Sequence, residues 1–205
     1  MRGDALVAML RSMLAFYMQM FFTILIVVDP VGIVPLFLSA TSHLSEAERR
    51  KAMRLSIIVS AVVMSVFAVG GRFILSFFGI SPGAFYVAGG VMFFLISVDM
   101  LFGQAKRSKK SSEEEDEDFS SVAVFPLAIP MISGPGTITT IMLFTSGSTP
   151  WLTASALGIA AIVPVLVIMY LAMRSSGLIL RALGKTGVSV VERMMGLILS
   201  GLSIQ

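Results

Sequence analysis

Two aspartates stand in apolar sequence where an ionised side chain is costly. Asp29 follows Ile26-Val27-Val28 and precedes Pro30-Val31-Gly32-Ile33, and Asp99 follows Ile96-Ser97-Val98. A carboxylate at membrane depth is usually kept for binding a cation, an ammonium group or a transferable proton. Asp29 also suits a local role, because Asp before Pro is a good helix cap. A second interruption reads Ile132-Ser133-Gly134-Pro135-Gly136-Thr137-Ile138 and continues into Thr139 and Thr140.

Pro removes a backbone donor and Gly accepts unusual dihedrals, so both interruptions free backbone groups. In lipid such groups must face protein, water or a ligand. Pro30 and Pro135 suit the first position of a new helical turn. Each interrupted segment is then expected to restart as a half-helix near mid-membrane, its N-terminus favouring an anionic group. The preceding half-helices, ending around Val28 and Ile132, would offer bare carbonyls to a cation. A zwitterion such as an amino acid matches both sets. The candidate solute-binding residues are Asp29, Pro30, Gly32, Ser133, Gly134, Pro135, Gly136, Thr137 and Thr140. Asp29 and Asp99 are the candidates for a coupling proton or sodium ion.

Little else could do chemistry. There is no cysteine, and His43 is the single histidine, in a basic loop. Neither a nucleophile–base pair nor a metal cluster is readable. The expectation is a protein that is not an enzyme and carries no cofactor or metal. Ser189-Val190-Val191-Glu192 fits a capping box, which makes Glu192 structural. Arg193 is expected to snorkel to the surface.

The surroundings of these residues set the class. Hydrophobic residues make up 56% of the chain and charged ones 13%, about half the charge of a soluble domain. The chain is expected to be an all-α polytopic membrane protein, since strand-like alternation is missing and helices satisfy their own backbone. The N-terminal apolar run reads as a retained first span. Six spans are expected at residues 13–41, 45–78, 81–103, 122–146, 149–175 and 187–205, the first and fourth broken, the fifth kinked at Pro164. Ser45-Glu46-Ala47-Glu48 is a second capping box, and Ser81-Pro82 is a helix start.

Basic residues follow spans one, three and five: Arg49, Arg50, Lys51 and Arg54, then Lys106, Arg107, Lys109 and Lys110, then Arg174, Arg181 and Lys185. The positive-inside rule makes that side cytoplasmic and puts both termini outside. The net charge of +3 is therefore a topology signal and not a nucleic-acid one. The organisation expected is a first three-helix repeat at 1–103, a charged cytoplasmic linker at 104–121 and a second repeat at 122–205. Aligning the halves pairs Pro30 with Pro135, and a one-residue adjustment pairs Gly90 with Gly196 and Ser97 with Ser203. An odd number of spans per half makes the repeats inverted, as in many secondary transporters.

Asp29-Pro30-Val31-Gly32-Ile33-Val34-Pro35-Leu36-Phe37 and Ile129-Pro130-Met131-Ile132-Ser133-Gly134-Pro135-Gly136-Thr137-Ile138-Thr139-Thr140, together with Arg193 and Gly196, resemble the MarC family of multi-pass membrane proteins. That family includes small neutral amino acid transporters. The resemblance covers nearly the whole chain, with a departure at Ile33, where the family often has Asn. It implies six spans, a bacterial or archaeal inner (plasma) membrane and small-solute transport. The function expected is alternating-access transport of small neutral amino acids or similar solutes, with a coupling Na+ or H+. The competing classes are export of other metabolites or drugs, a passive channel, and a membrane-embedded enzyme.

Overall fold

The computed structural model describes residues 2–102, 119–147 and 150–204, and among them the chain is helical with no strand. The first half holds α1 (Arg2–Val28), α2 (Ile33–Ala40), α3 (Glu46–Phe77) and α4 (Pro82–Phe102). The second holds α5 (Phe119–Val122), a wide-turned segment Ala123–Ile132, α6 (Pro135–Thr145), α7 (Trp151–Arg174) and α8 (Ser176–Ile204). Most of the expected linker lies outside the described residues. Its last residues, Phe119 to Ser121, are already helical and belong to α5.

Local chemistry sets these boundaries. Ser45 and Glu48 cap α3 reciprocally: the Ser45 hydroxyl accepts the Glu48 amide at 3.4 Å, and Glu48 Oε2 accepts the Ser45 amide at 2.9 Å. At its other end α3 closes with Gly79 in the left-handed region and the Ile80 amide on the Leu75 carbonyl at 2.9 Å, a Schellman stop. In the wide-turned segment, Phe125 and Ile129 take extended dihedrals. Each precedes a proline, whose ring disfavours α geometry in the residue before it.

Pro164 lies inside α7, which nonetheless runs from Trp151 to Arg174. Proline there removes the donor that would reach Ala160. The Tyr17 hydroxyl of α1 donates to that carbonyl at 3.5 Å. A neighbouring helix thus helps re-satisfy the backbone group that the proline frees.

The buried core is formed by α1, α2, α3, the wide-turned segment, α6 and α7, around Met20, Ile24, Phe37, Met64, Leu127 and Ile162. Ser155 and Trp151 of α7 donate to the carbonyls of Ala68 and Val69 on α3, each at 3.0 Å. Outside this core α4 lies along α8. A methyl placed on Gly90 would stand 2.8 Å from the Ser203 carbonyl oxygen, and one on Gly196 would stand 3.1 Å from that of Ser97. Ascending α4 from 90 to 97 therefore descends α8 from 203 to 196, and the two helices are antiparallel. The outward residues are apolar, among them Phe73, Phe77, Val87, Leu152 and Leu197, as a lipid-facing surface requires.

Among the described residues, five helices are long and apolar enough to cross a membrane: Val7–Val28, Glu46–Phe77, Gly83–Phe102, Trp151–Arg174 and Thr186–Ile204. Phe119–Ile132 and Pro135–Thr145 together, bent by 52°, make up to six. The first interruption differs from the expectation. Because α1 starts at Arg2 instead of near Met13, the apolar stretch before Asp29 already has the length of a span. Span six differs too. α8 begins at Ser176 and passes Ser189 without a start there, its one non-helical residue being Gly184 at φ 64°. Ser189 is therefore not a cap, and the capping-box reading of Glu192 is corrected.

Two outcomes are expected. Ser45→Ala should lower stability by about 1 kcal/mol, the usual worth of an N-cap hydroxyl, read as a lower thermal midpoint in detergent. Gly196→Val should force α4 from α8 and cost roughly 1–3 kcal/mol by overpacking, measured the same way.

Candidate functional site

The two interruptions face each other. A methyl on Gly136 would overlap Ile96 of α4 and stand 3.2 Å from Val27 Cγ1, next to the first interruption. Gly136 thus lets the start of α6 slot between α1 and α4. Beside this contact lies a cavity of about 430 Å³, within the usual range for small-ligand sites. The first interruption contributes Asp29, Gly32 and Ile33, and the second contributes Gly134, Pro135, Gly136 and Thr137. One wall is α4 (Met92, Leu95, Ile96, Asp99 and Met100), and Glu192 of α8 closes another side.

Asp29 has φ 47°, the single left-handed non-glycine residue described. Asp tolerates this region better than most side chains because its carboxylate can bond locally. Here Oδ1 accepts the Gly32 amide at 3.0 Å. The carboxylate therefore closes the turn just before α2, whose N-cap is Gly32 and not the Asp29 that the sequence suggests. A methyl on Gly32 would overlap Asp29 Oδ2 and stand 2.8 Å from Glu192 Oε1. Both carboxylates therefore border one small volume, roughly 5 Å apart or less, close enough for each to feel the other's charge.

The second interruption is organised differently. Pro135 is the first residue of α6, and Gly134 caps it without any side-chain hydrogen bond. The first-turn amides of a helix have no acceptor within it. Those of Gly136 and Thr137 thus border the cavity at a helix end that no side chain caps. Gly134 is needed because a Cβ there would strike the Pro130 carbonyl.

The hydroxyls expected at this site are committed elsewhere. Ser133 Oγ donates to Ala128 O at 2.8 Å, Thr137 Oγ1 to Ile132 O at 3.0 Å, and Thr140 Oγ1 to Gly136 O at 2.7 Å. The Ile132 carbonyl is therefore not bare, which corrects the expectation of a free carbonyl for a cation there. In a dry core a hydroxyl that re-satisfies freed backbone removes a desolvation penalty.

Of the residues expected to form the site, Asp29, Gly32, Gly134, Pro135, Gly136, Thr137 and Asp99 line the cavity, while Pro30, Ser133 and Thr140 do not. Asp99 is exposed at the rim. Sequence reasoning missed Glu192 and the α4 wall. Glu192 carried a usable signal, an acid within the apolar stretch 186–204, but its match to a capping box absorbed it. Arg193, its neighbour, is exposed.

Residues 14–205 match the family model described as MarC family integral membrane protein. The chain belongs to the MarC family. A UPF0056 membrane protein of Pyrococcus abyssi is 40% identical over 179 residues, spanning 87% of this chain and 86% of that protein. The UPF0056 membrane protein YvbG of Bacillus subtilis is 36% identical, spanning 94% and 92%. One from Methanocaldococcus jannaschii is 34% identical, spanning 95% and 86%. No solved structure significantly matches this chain. This MarC protein is accordingly an integral multi-pass membrane protein whose helices border a mostly apolar cavity that carries a few acidic residues.

The absence of cysteine makes the cavity easy to probe. Single cysteines at Leu36 and Met92, which line it, should react with a small water-soluble thiol reagent. Cysteines at the buried Ser133 and Thr140 should remain at least about ten-fold slower, as burial restricts access to a thiolate. Equal labelling of the two pairs would rule out the cavity described.

Proposed function

We propose that this MarC protein is a secondary transporter of small neutral amino acids, or of similar small solutes, working by alternating access around the cavity between the two interruptions. The observation that carries the reading is the meeting of Asp29 and Gly32 with Gly134, Pro135, Gly136 and Thr137 around one cavity. Discontinuous helices meeting at a repeat interface are the usual solution for a transporter site. On this reading the chain is a carrier and not an enzyme.

Reciprocity of contacts supports the inverted repeat. Gly90 and Gly196 hold corresponding places in the two halves, as do Ser97 and Ser203. The close approaches pair Gly90 with Ser203 and Gly196 with Ser97, so exchanging the halves reproduces the set. Likewise α3 packs on α6 as α7 packs on α2, and α4 packs on α6 as α8 packs on α2. An antiparallel α4–α8 pair is what a two-fold axis in the membrane plane demands. In this arrangement the bent pair forms one broken span, and α1 with α2 is its counterpart. The basic loops face the cytoplasm, the termini face outward, and the protein sits in the plasma membrane.

The inequality of the two helix starts orients the solute. At α2 the Asp29 carboxylate already fills the anion position. At α6 the amides of Gly136 and Thr137 are open to a solute carboxylate. The ammonium then points toward Asp29 and Glu192, and a short apolar side chain meets Met92, Leu95 and Ile96. Asp29 or Asp99 carries the coupling proton or sodium ion.

Reconstituted protein should take up labelled glycine or alanine saturably, driven by an imposed sodium or proton gradient. Gradient-independent behaviour across a panel of small solutes would sink the reading. Asp29→Asn and Glu192→Gln should each raise the apparent KM by about ten-fold or more, since each removes a charge-assisted contact. Arg193→Gln, altering an exposed neighbour, should stay near wild type.

A further inference from the structure

A second cavity shares no lining residue with the first. It measures about 420 Å³ and is lined by Arg49 and Arg50 of α3, Arg174 of α7 and Arg181 of α8, with Glu46 and the first residues of α8. The positive-inside pattern explains why these arginines share one side of the membrane. It does not explain why two come from the start of α3, two from the α7–α8 junction, and all four line one concavity.

The chemistry of the lining is selective. All four basic residues are arginine, whose planar fork matches the oxygens of a phosphate, whereas a lysine would act as a point charge. The one acid, Glu46, is neutralised by Arg49 Nη1 at 3.0 Å. Arg49 Nη2 donates to the Thr41 carbonyl at 3.3 Å, at the end of α2. That leaves Arg49 Nε, which is buried and has no hydrogen-bond partner among the described residues. An unpaired buried donor on a cation is expensive, and an anion held beside that guanidinium would offset part of the cost electrostatically. α8 starts at this cavity, with Ser176 and Gly177 lining it, and the first amides of a helix favour negative charge. Gly184, at φ 64°, separates this opening stretch of α8 from its apolar span, which starts at Thr186. The cavity therefore sits at the membrane boundary, at headgroup depth.

We propose that this four-arginine cavity binds a phosphate group, supplied by the headgroup of an anionic phospholipid or by a soluble phosphate, and that the bound anion ties α3 of the first half to α7 and α8 of the second. Arg50, Arg174 and Arg181 engage the phosphate oxygens, and Arg49, anchored by Glu46 and Thr41, forms the floor. The site is independent of the transport reading, because it shares no lining residue with the first cavity.

The test is thermal unfolding of the full chain in nanodiscs of phosphatidylcholine alone or mixed with phosphatidylglycerol. In a third arm, phosphatidylcholine discs receive inorganic phosphate, balanced by chloride at equal ionic strength. Wild type should gain several degrees with phosphatidylglycerol if the source is lipid, or with inorganic phosphate if it is soluble. Arg50→Gln/Arg181→Gln should lose most of that gain. Arg50→Lys/Arg181→Lys, which keeps the charge and is the gentler change should the first variant fold poorly, should lose about half or more, since the fork is gone. Lys51→Gln/Arg54→Gln removes equal charge on the same side outside the cavity and should keep the gain. No gain from either phosphate source, or a loss in the control equal to that in the cavity variant, overturns the proposal.

Discussion

Inside a bilayer every backbone amide and carbonyl needs a partner supplied by the protein, and most features of this chain follow from that demand. Uninterrupted helices meet it by themselves. Each interruption must be repaired locally, and each repair here uses a side chain of the right reach. Asp29 accepts the Gly32 amide. Ser133 and Thr137 donate to carbonyls before the second interruption. Tyr17 reaches across from α1 to the carbonyl opposite Pro164. What is left unrepaired is correspondingly informative: the first-turn amides of α6 border a cavity without a side-chain cap.

Close packing is the second constraint, and glycine meets it where backbones or carboxylates approach. Gly90 and Gly196 let α4 and α8 cross at nearly bare backbone, and Gly136 lets α6 reach the first interruption. At Gly32 the missing side chain leaves room for two carboxylates far apart in sequence. The same device therefore serves packing in the outer helix pair and polarity in the cavity. On the proposed reading, the outer pair relates the two repeats by symmetry while the cavity breaks that symmetry, with a carboxylate at one helix start and open amides at the other.

The fold was largely legible because its signals are local. Capping at Ser45, the start at Ser81-Pro82, and the long apolar runs each depend on a few neighbouring residues, and the helices begin and end close to where those signals stand. The failures share a cause as well. Ser189 through Glu192 carries a capping pattern, yet α8 runs straight through it, since tertiary packing outweighs a weak local preference. The hydroxyls of Ser133 and Thr140 looked available because a sequence does not show which backbone group a side chain will find.

The sequence by itself determined the class of this protein, its helices, the chemistry concentrated at the two interruptions and its membership of the MarC family. Those properties rest on composition and short-range pattern, which are complete in one dimension. Only the tertiary structure decided which groups meet: Glu192 beside Asp29, Met92 and Ile96 as a wall, and four arginines from two halves around a single hollow. Such meetings depend on the crossing of helices distant in the chain. That geometry is set by the summed packing of many side chains and is written at no single position.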